Sequence, residues 1–439
     1  MRTIDLRGKN FTPAELLAAV PRATAARAAA LDAAEEIVRA VRHDGESALR
    51  EQAARFDRVT DHEIRVPQSH IDDAVAGLDP AVRTALEEAI ARVREGSAAQ
   101  VPAPRETDIA PGARVTQRWQ PVGRAGVYVP GGKAVYPSSV IMNVVPAQVA
   151  GVPSLALCSP PQADCGGRVH PTILAVAGLL GVDEVYAIGG AGAIGALAHG
   201  VAALGLDPVD VVTGPGNNFV AAAKRVVAGI VGTDAEAGAT EILIAADDTA
   251  DARLVAYDLI SQAEHDEQAS AVLVTASTAL AQSVQQELER LQGRTRHAER
   301  VAAALDGPQS AIVLVDDTET MARFSNAYGP EHLELHVAGA RDAASAYTNA
   351  GALFVGSFTP VSLGDYMAGS NHVLPTGGQS RYASGLGAYT FLRPQQVVEY
   401  DREALSVVAD RIVSLAEAES LPAHGEAVTA RFATGDALN

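Results

Sequence analysis

Gln262 and His265 stand three residues apart in Asp258-Leu259-Ile260-Ser261-Gln262-Ala263-Glu264-His265-Asp266. Apolar Leu254, Ala256, Leu259 and Ile260 give this stretch the spacing of a half-buried helix, and residues three apart on a helix share a face. An imidazole and an amide aimed the same way can hold a metal, for which neutral His is the commonest ligand. The wet side of a helix is the blander reading of the same pair. What lifts it is company downstream: Gly329-Pro330-Glu331-His332-Leu333-Glu334, then Gly364-Asp365-Tyr366 with Ser370-Asn371-His372, and finally Leu421-Pro422-Ala423-His424-Gly425-Glu426, each at a loop or element end.

Together with Gly126-Val127-Tyr128-Val129-Pro130-Gly131-Gly132, these stretches resemble histidinol dehydrogenase, a zinc- and NAD-dependent family of the last two steps of histidine biosynthesis, over nearly the whole chain. The resemblance implies zinc, one ion per subunit, held by Gln262, His265, Asp365 and His424. Nitrogen and oxygen donors without Cys, with room for substrate atoms, suit a working rather than a structural zinc. It implies Glu331 and His332 as the catalytic pair. An imidazole titrating near neutrality suits removal of an alcohol proton, and a carboxylate beside it suits activation of the water that hydrates an aldehyde. Thr240 and Glu419 match substrate contacts, alongside Gln262, His265, His332, Asp365 and His424. In the family the tail histidine reaches into the neighbouring subunit, which implies a homodimer with intertwined C-terminal tails. His372 lies near these residues in sequence, in a supporting position. His336, in the alternating Leu333-Glu334-Leu335-His336, is expected to point off its strand.

Gly190-Ala191-Gly192-Ala193-Ile194-Gly195 follows an expected strand and opens a helix, as a dinucleotide fingerprint must. The acid that would clamp a ribose is poorly placed, because Asp207 and Asp210 precede the next strand. By resemblance the NAD contacts are Tyr128, Gly192 and Asn217. Family members usually carry Gln where this chain has Gly192; a glycine supplies no amide but lets backbone approach a pyrophosphate. The family likewise has Pro in place of Ala239, a change that bears on rigidity.

The activity implied is oxidation of L-histidinol through bound L-histidinal to L-histidine with two NAD+. The alternative is a paralogous zinc- and NAD-dependent dehydrogenase of another small amino or sulfonated alcohol. A zinc hydrolase and a metal-storing dimer are the rivals of other classes.

To bring these residues together the chain needs rigid elements. From Tyr128 to about Ala239, and again from Glu241 to Val355, strands and helices alternate at short intervals, which argues for βαβ units on parallel sheets. The fold class is α/β: two Rossmann-like parallel-sheet units with a helical N-terminal region and a helical C-terminal tail, and no clear sequence repeat between the units. The expected division is an arm over 1–24, a first α/β domain from 25–127 and 241–386 with the metal site, an NAD-binding α/β domain over 128–240, and a dimer-exchanging tail over 387–439. Thr12-Pro13-Ala14-Glu15 reads as a capped helix start.

With 439 residues, 48% of them hydrophobic, the chain has ample material for several cores. A formal charge of -19 without a Lys/Arg cluster disfavours nucleic acid and anionic membranes as partners. The apolar region Val140 to Cys158 is broken by Asn143, Pro146 and Gln148, and the first residues lack the apolar core of a secretion signal, so a cytoplasmic setting is expected. Cys158 and Cys165 are then structural or incidental thiols.

Overall fold

The computed structural model describes residues 1–9, 11–22, 27–131, 135–235 and 238–433; Gly132 and Ala237 lie outside them. The chain divides into two compact units, one of residues 1–101 and 122–391, the other of 102–121 and 392–439.

In the first unit, β1 (Arg2–Asp5) is an edge strand contributed by the arm. The second unit supplies the next two, β2 (Arg105–Ala110) and β3 (Ala113–Pro121). Back in the first unit, β4 (Ala125–Tyr128), β5 (Leu155–Ser159), β6 (Val185–Ala187), β7 (Val211–Thr213) and the two-residue β8 (Gly232–Thr233) form a parallel sheet in the order β6-β5-β4-β7-β8. A second parallel sheet takes β9 (Glu241–Ala246), β10 (Ser270–Thr275), β11 (Ala311–Leu314), β12 (His332–His336) and β13 (Ala352–Val355), in the order β1-β11-β10-β9-β12-β13. In both, the first strand of the unit lies between its second and fourth, the 3-2-1-4-5 order of dinucleotide folds. The α/β expectation of two comparable units is thus met at the level of topology, without sequence repetition.

Strands β9, β10 and β12 are buried along their whole length, as parallel strands covered on both faces must be. That is why Glu334 and His336, which alternate with leucines, are buried too. His336 does not point off the strand to solvent; alternation signals a wet face only where one face is wet. The long helices of the lead-in, Arg27–Asp44 and Pro80–Ala98, pack on helices of the five-stranded sheet, against Gly190–His199 and Asn218–Val227 in the first case and Pro137–Ala150 in the second. Helix Pro13–Ala19 has the expected capping box, with Thr12 and Glu15 bonded reciprocally.

The second unit is an antiparallel sheet, in which β3 lies between β2 and a C-terminal strand, with two helices. The helical tail expected after 386 therefore begins with a nine-residue strand, β14 (Leu392–Tyr400), before helices Arg402–Ala418 and Pro422–Thr429. At the β2–β3 turn Gly112 has φ +74, and a Cβ there would lie 2.1 Å from Asp401, the residue that caps helix Arg402–Ala418. Only glycine allows that approach.

Candidate active site

Thr240 precedes and Glu241 opens β9, and Glu331 precedes and His332 opens its neighbour β12; the parallel register sets His332 opposite Ile242. Behind them, helix Ala252–Ala263 is capped by Asp251 and buries Val255, Ala256, Leu259 and Ile260, which turns Gln262 inward. The Thr240 hydroxyl donates to Glu331 Oε2 at 2.6 Å, and the Glu241 N–H donates to the same oxygen at 2.9 Å. Because that hydroxyl has spent its proton on the carboxylate, it accepts from Gln262 Nε2 at 2.7 Å. The amide orientation follows from this chain, and Gln262 Oε1 is left buried with no partner among the described residues. A buried carbonyl oxygen without a donor is costly unless a ligand meets it.

His332 is fixed in the same manner. Its Nδ1 lies 3.0 Å from the Glu241 carbonyl oxygen, which can only accept, so Nδ1 carries the proton and Nε2 has the lone pair. Nε2 is buried and has no partner among the described residues. Glu331 Oε2 lies 3.6 Å from Nδ1, and the Phe354 ring, 6.0 Å away between centroids, flanks the imidazole. Burial pushes the Glu331 carboxyl up, while His332, the Thr240 hydroxyl, the Glu241 N–H and His265 pull the other way. The arrangement offers a proton acceptor with an accessible tautomer and a carboxylate poised to take a second proton.

His265 follows this helix, exposed, and its Nδ1 pairs with the Ser261 carbonyl at 3.1 Å, which leaves Nε2 for a ligand. Asp365 sits on the short helix Val361–Tyr366, partly buried. His372 reaches the Ser138 hydroxyl at 3.2 Å. Burial pushes its imidazole down, with Asp365 opposing and His332 and His265 adding to the effect, so these groups lie within electrostatic reach of one another. The structure thus gathers Thr240, Gln262, His265, Glu331, His332 and Asp365 in one neighbourhood. His424 and Glu419 belong to the second unit, where both are exposed, Glu419 ending helix Arg402–Ala418 and His424 lying on helix Pro422–Thr429.

A second polar cluster, unforeseen from sequence, joins this helix to the far end of β12. Asp258, Glu334 and His336 present ligand atoms within 4.8 Å of one another and could hold a cation. They also satisfy each other: His336 Nε2 lies 3.3 Å from Glu334 Oε2, and Glu334 Oε1 accepts from the Val361 N–H. Burial, and then Glu334, push the Asp258 carboxyl up.

On the five-stranded sheet, the polar groups collect at the carboxyl ends of the strands. The Tyr128 hydroxyl, at the end of β4, accepts from the Gly190 N–H at 3.1 Å and is pushed up to about 12 by burial. Asn217 caps helix Asn218–Val227 by accepting from the N–H groups of Phe219 and Val220. The turn before it is propped by the buried Lys224–Asp234 pair, both partners of which bond Gly214. Gly192 is buried in helix Gly190–His199, and a Cβ there would lie 2.1 Å from Gln52 Oε1. The volume that a side chain at 192 would fill is therefore held by Gln52, whose Nε2 donates to the Gly189 carbonyl. Sequence gave no sign of Gln52, which lies about 140 residues away. Along this edge the buried Ser159 Oγ, Gln162 Nε2 and Thr213 Oγ1 have no partner among the described residues. Cys158 is a buried free thiol pushed up by its burial, and Cys165 is free as well.

A family model for histidinol dehydrogenase matches residues 20–432. The chain is 65% identical over 432 residues to the histidinol dehydrogenase of Leifsonia xyli subsp. xyli, covering 98% of this chain and 99% of that protein. It is 58% identical over 429 residues to that of Thermobifida fusca, covering 98% and 97%. The crystal structure of histidinol dehydrogenase from Elizabethkingia anophelis superposes with a TM-score of 0.90 at 31% identity, covering 98% of each chain. The chain belongs to the histidinol dehydrogenase family.

Family membership makes it an oxidoreductase of histidine biosynthesis, and it disfavours the paralogue with another alcohol. The histidinol dehydrogenase family implies NAD and a metal, and the residues fit both. The orphaned Gln262 Oε1, in the last turn of helix Ala252–Ala263, and the uncommitted His265 Nε2, just past its end, are oxygen and nitrogen donors of the kind zinc takes. The unpartnered hydroxyls and amide at the carboxyl edge of a 3-2-1-4-5 sheet are where a dinucleotide finds hydrogen bonds. Among the described residues no helix is long and apolar enough to cross a membrane.

Proposed function

We propose that the chain oxidises L-histidinol through bound L-histidinal to L-histidine, using two NAD+ in succession. The observation that carries this reading is His332, whose Nδ1–H is committed to a carbonyl and whose Nε2 is buried and free beside Glu331. In the first oxidation His332 Nε2 takes the hydroxyl proton of the substrate. The aldehyde is then hydrated, and Glu331, held through Oε2 by Thr240 and Glu241, takes a proton from the attacking water. His332, having passed its first proton to solvent, accepts the proton of the hydrate hydroxyl as the second hydride leaves for NAD+.

Gln262, His265, Asp365 and His424 are the proposed ligands of one Zn2+ per subunit, which when bound grips the imidazole and amino nitrogens of the substrate as a template. Thr240 and Glu419 complete the substrate contacts. NAD, the hydride acceptor of both steps, is proposed to lie at the carboxyl edge of the five-stranded sheet, against Tyr128, the first turn of helix Gly190–His199 with Gly192, and Asn217. His424 and Glu419 serve the site of a second copy in a homodimer with intertwined tails. Exposed Val398, Val407, Leu415 and Leu421 on the second unit suit burial in such an interface. The setting is cytoplasmic.

Turnover of histidinol, with NADH counted against histidine, tests the reading. Two NADH per histidine is the expected result; one per product, with aldehyde released, contradicts it.

A further inference from the structure

Arg22 lies on the segment after helix Pro13–Ala19, more than 200 residues in sequence from any proposed reactive group, yet its side chain is 11% exposed and paired with the 5% exposed Glu241. The pairing is a fork: Nε donates to Glu241 Oε1 at 2.7 Å and Nη2 faces Oε2 at 3.3 Å. Nη2 also donates to the carbonyl of Tyr328 and lies 3.4 Å from that of Gly329, while the guanidinium plane sits 4.1 Å from the centre of the Tyr328 ring. On the other side, Gly378 has φ +78, and a Cβ there would lie 2.6 Å from Nη1. The neighbouring Gly377 N–H donates to Glu241 Oε1.

These partners flank the reactive pair from both sides. Glu241 uses its main chain on that pair: its N–H holds Glu331 Oε2 and its carbonyl holds His332 Nδ1. Tyr328 and Gly329 form the turn that ends helix Thr318–Tyr328, two residues before Glu331. A single planar cation therefore fixes both the strand start that orients the imidazole and the turn that delivers it.

We propose that Arg22 is a positioning residue for the oxidation, setting the orientation of His332 and Glu331 through Glu241 and the Tyr328–Gly329 turn. This rests on the reading of His332 as the proton acceptor. Lysine cannot do the same, because a point charge reaches the carboxylate but not the fork, the two carbonyls and the ring at once. A small misplacement of reacting groups costs up to about 100-fold in rate, so the effect falls on kcat rather than on cofactor binding.

The test is steady-state kinetics of the zinc-loaded enzyme with Arg22→Ala and Arg22→Lys, with and without millimolar guanidinium. Expected are a kcat about 10- to 100-fold down in both variants, an unchanged KM for NAD, and partial recovery of kcat by guanidinium in Arg22→Ala alone. A variant that loses thermal stability but keeps its kcat overturns the proposal, as does a guanidinium-insensitive Arg22→Ala. If Arg22→Ala does not fold, Arg22→Lys decides: wild-type kcat there overturns it. His332→Asn run in parallel separates the two layers. Activity retained in His332→Asn removes the site reading itself, whereas loss there with normal kcat in the Arg22 variants removes only the positioning role.

Discussion

In the six-stranded sheet the reactive groups gather at the amino ends of β9 and β12, the two strands that flank the reversal in strand order; in the five-stranded sheet the polar groups gather at the carboxyl ends of the equivalent pair, β4 and β7, and of the adjoining β5. The carboxyl-edge crevice is the usual binding place in open parallel sheets. The six-stranded sheet has closed its own: Asp247 accepts from the Ala338 N–H at 2.7 Å and from Thr249, while its N–H donates to the His336 carbonyl. With that crevice stitched shut, the residues just before β9 and β12 are left to do chemistry. The edges also differ in what they leave open. At the amino edge the carboxylate and imidazole are tied by Thr240 and Glu241, with Gln262 Oε1 and His332 Nε2 the buried, unpaired ends of that network among the described residues. At the other edge the orphans are separate hydroxyls and amides, each suited to a ligand that is mostly held by hydrogen bonds.

Substitutions at the two edges should therefore read out differently. The largest effect is expected from His332→Asn, a drop in kcat of about 10²–10⁴ with bound zinc unchanged by metal analysis. Simultaneous loss of metal would mean that the imidazole is a ligand. Glu331→Gln should slow the second oxidation by about 100-fold while sparing the first, seen as less than two NADH per histidinol in rapid-quench experiments.

At the opposite edge, Gly192→Ala should cost about 1–3 kcal/mol and raise the KM for NAD, because its Cβ meets Gln52 Oε1 at 2.1 Å. Gln52→Ala in the same chain should restore much of both, and a lack of coupling between the two would show that Gln52 is not the obstacle. Asp247→Ala, at the stitched crevice, should lower stability by about 1–2 kcal/mol in urea with kcat within about twofold of wild type.

Asp57 gives the smallest effect and a pH signature. Burial pushes its carboxyl up to about 6, so the proton is held more tightly in the folded state. Stability from that proton is present below the ordinary carboxylate range and is lost as pH rises through about 6. Asp57→Asn should thus gain about 1 kcal/mol at about pH 8, allowing for partial exposure, and nothing at about pH 4, by thermal unfolding across pH.

Much of this was legible beforehand because its signals are local. The strand at Glu241–Ala246, the helix that carries Gln262 but ends at Ala263, short of the expected His265, and the Glu331–His332 strand start carry their patterns in consecutive residues. What escaped depends on contacts distant in sequence. Arg22 in the arm and Gln52 in the lead-in look like ordinary polar positions until the fold seats one on Glu241 and the other on Gly192. Glu334 and His336 alternate with leucines as a half-wet strand would, and only cover on both faces makes them a buried pair. The strand Leu392–Tyr400 contains a proline and several polar residues, so its pairing with β3 outweighed its weak propensity.

Amide hydrogen exchange with each ligand in turn tests most directly whether the two sheets work from opposite edges. The account predicts that NAD protects residues 128–131, 189–193 and 213–219, that zinc with histidinol protects 238–241, 262–265 and 329–332, and that neither changes 246–249 or 336–339. Protection of 246–249 and 336–339 by NAD, with none at 128–131, would contradict it.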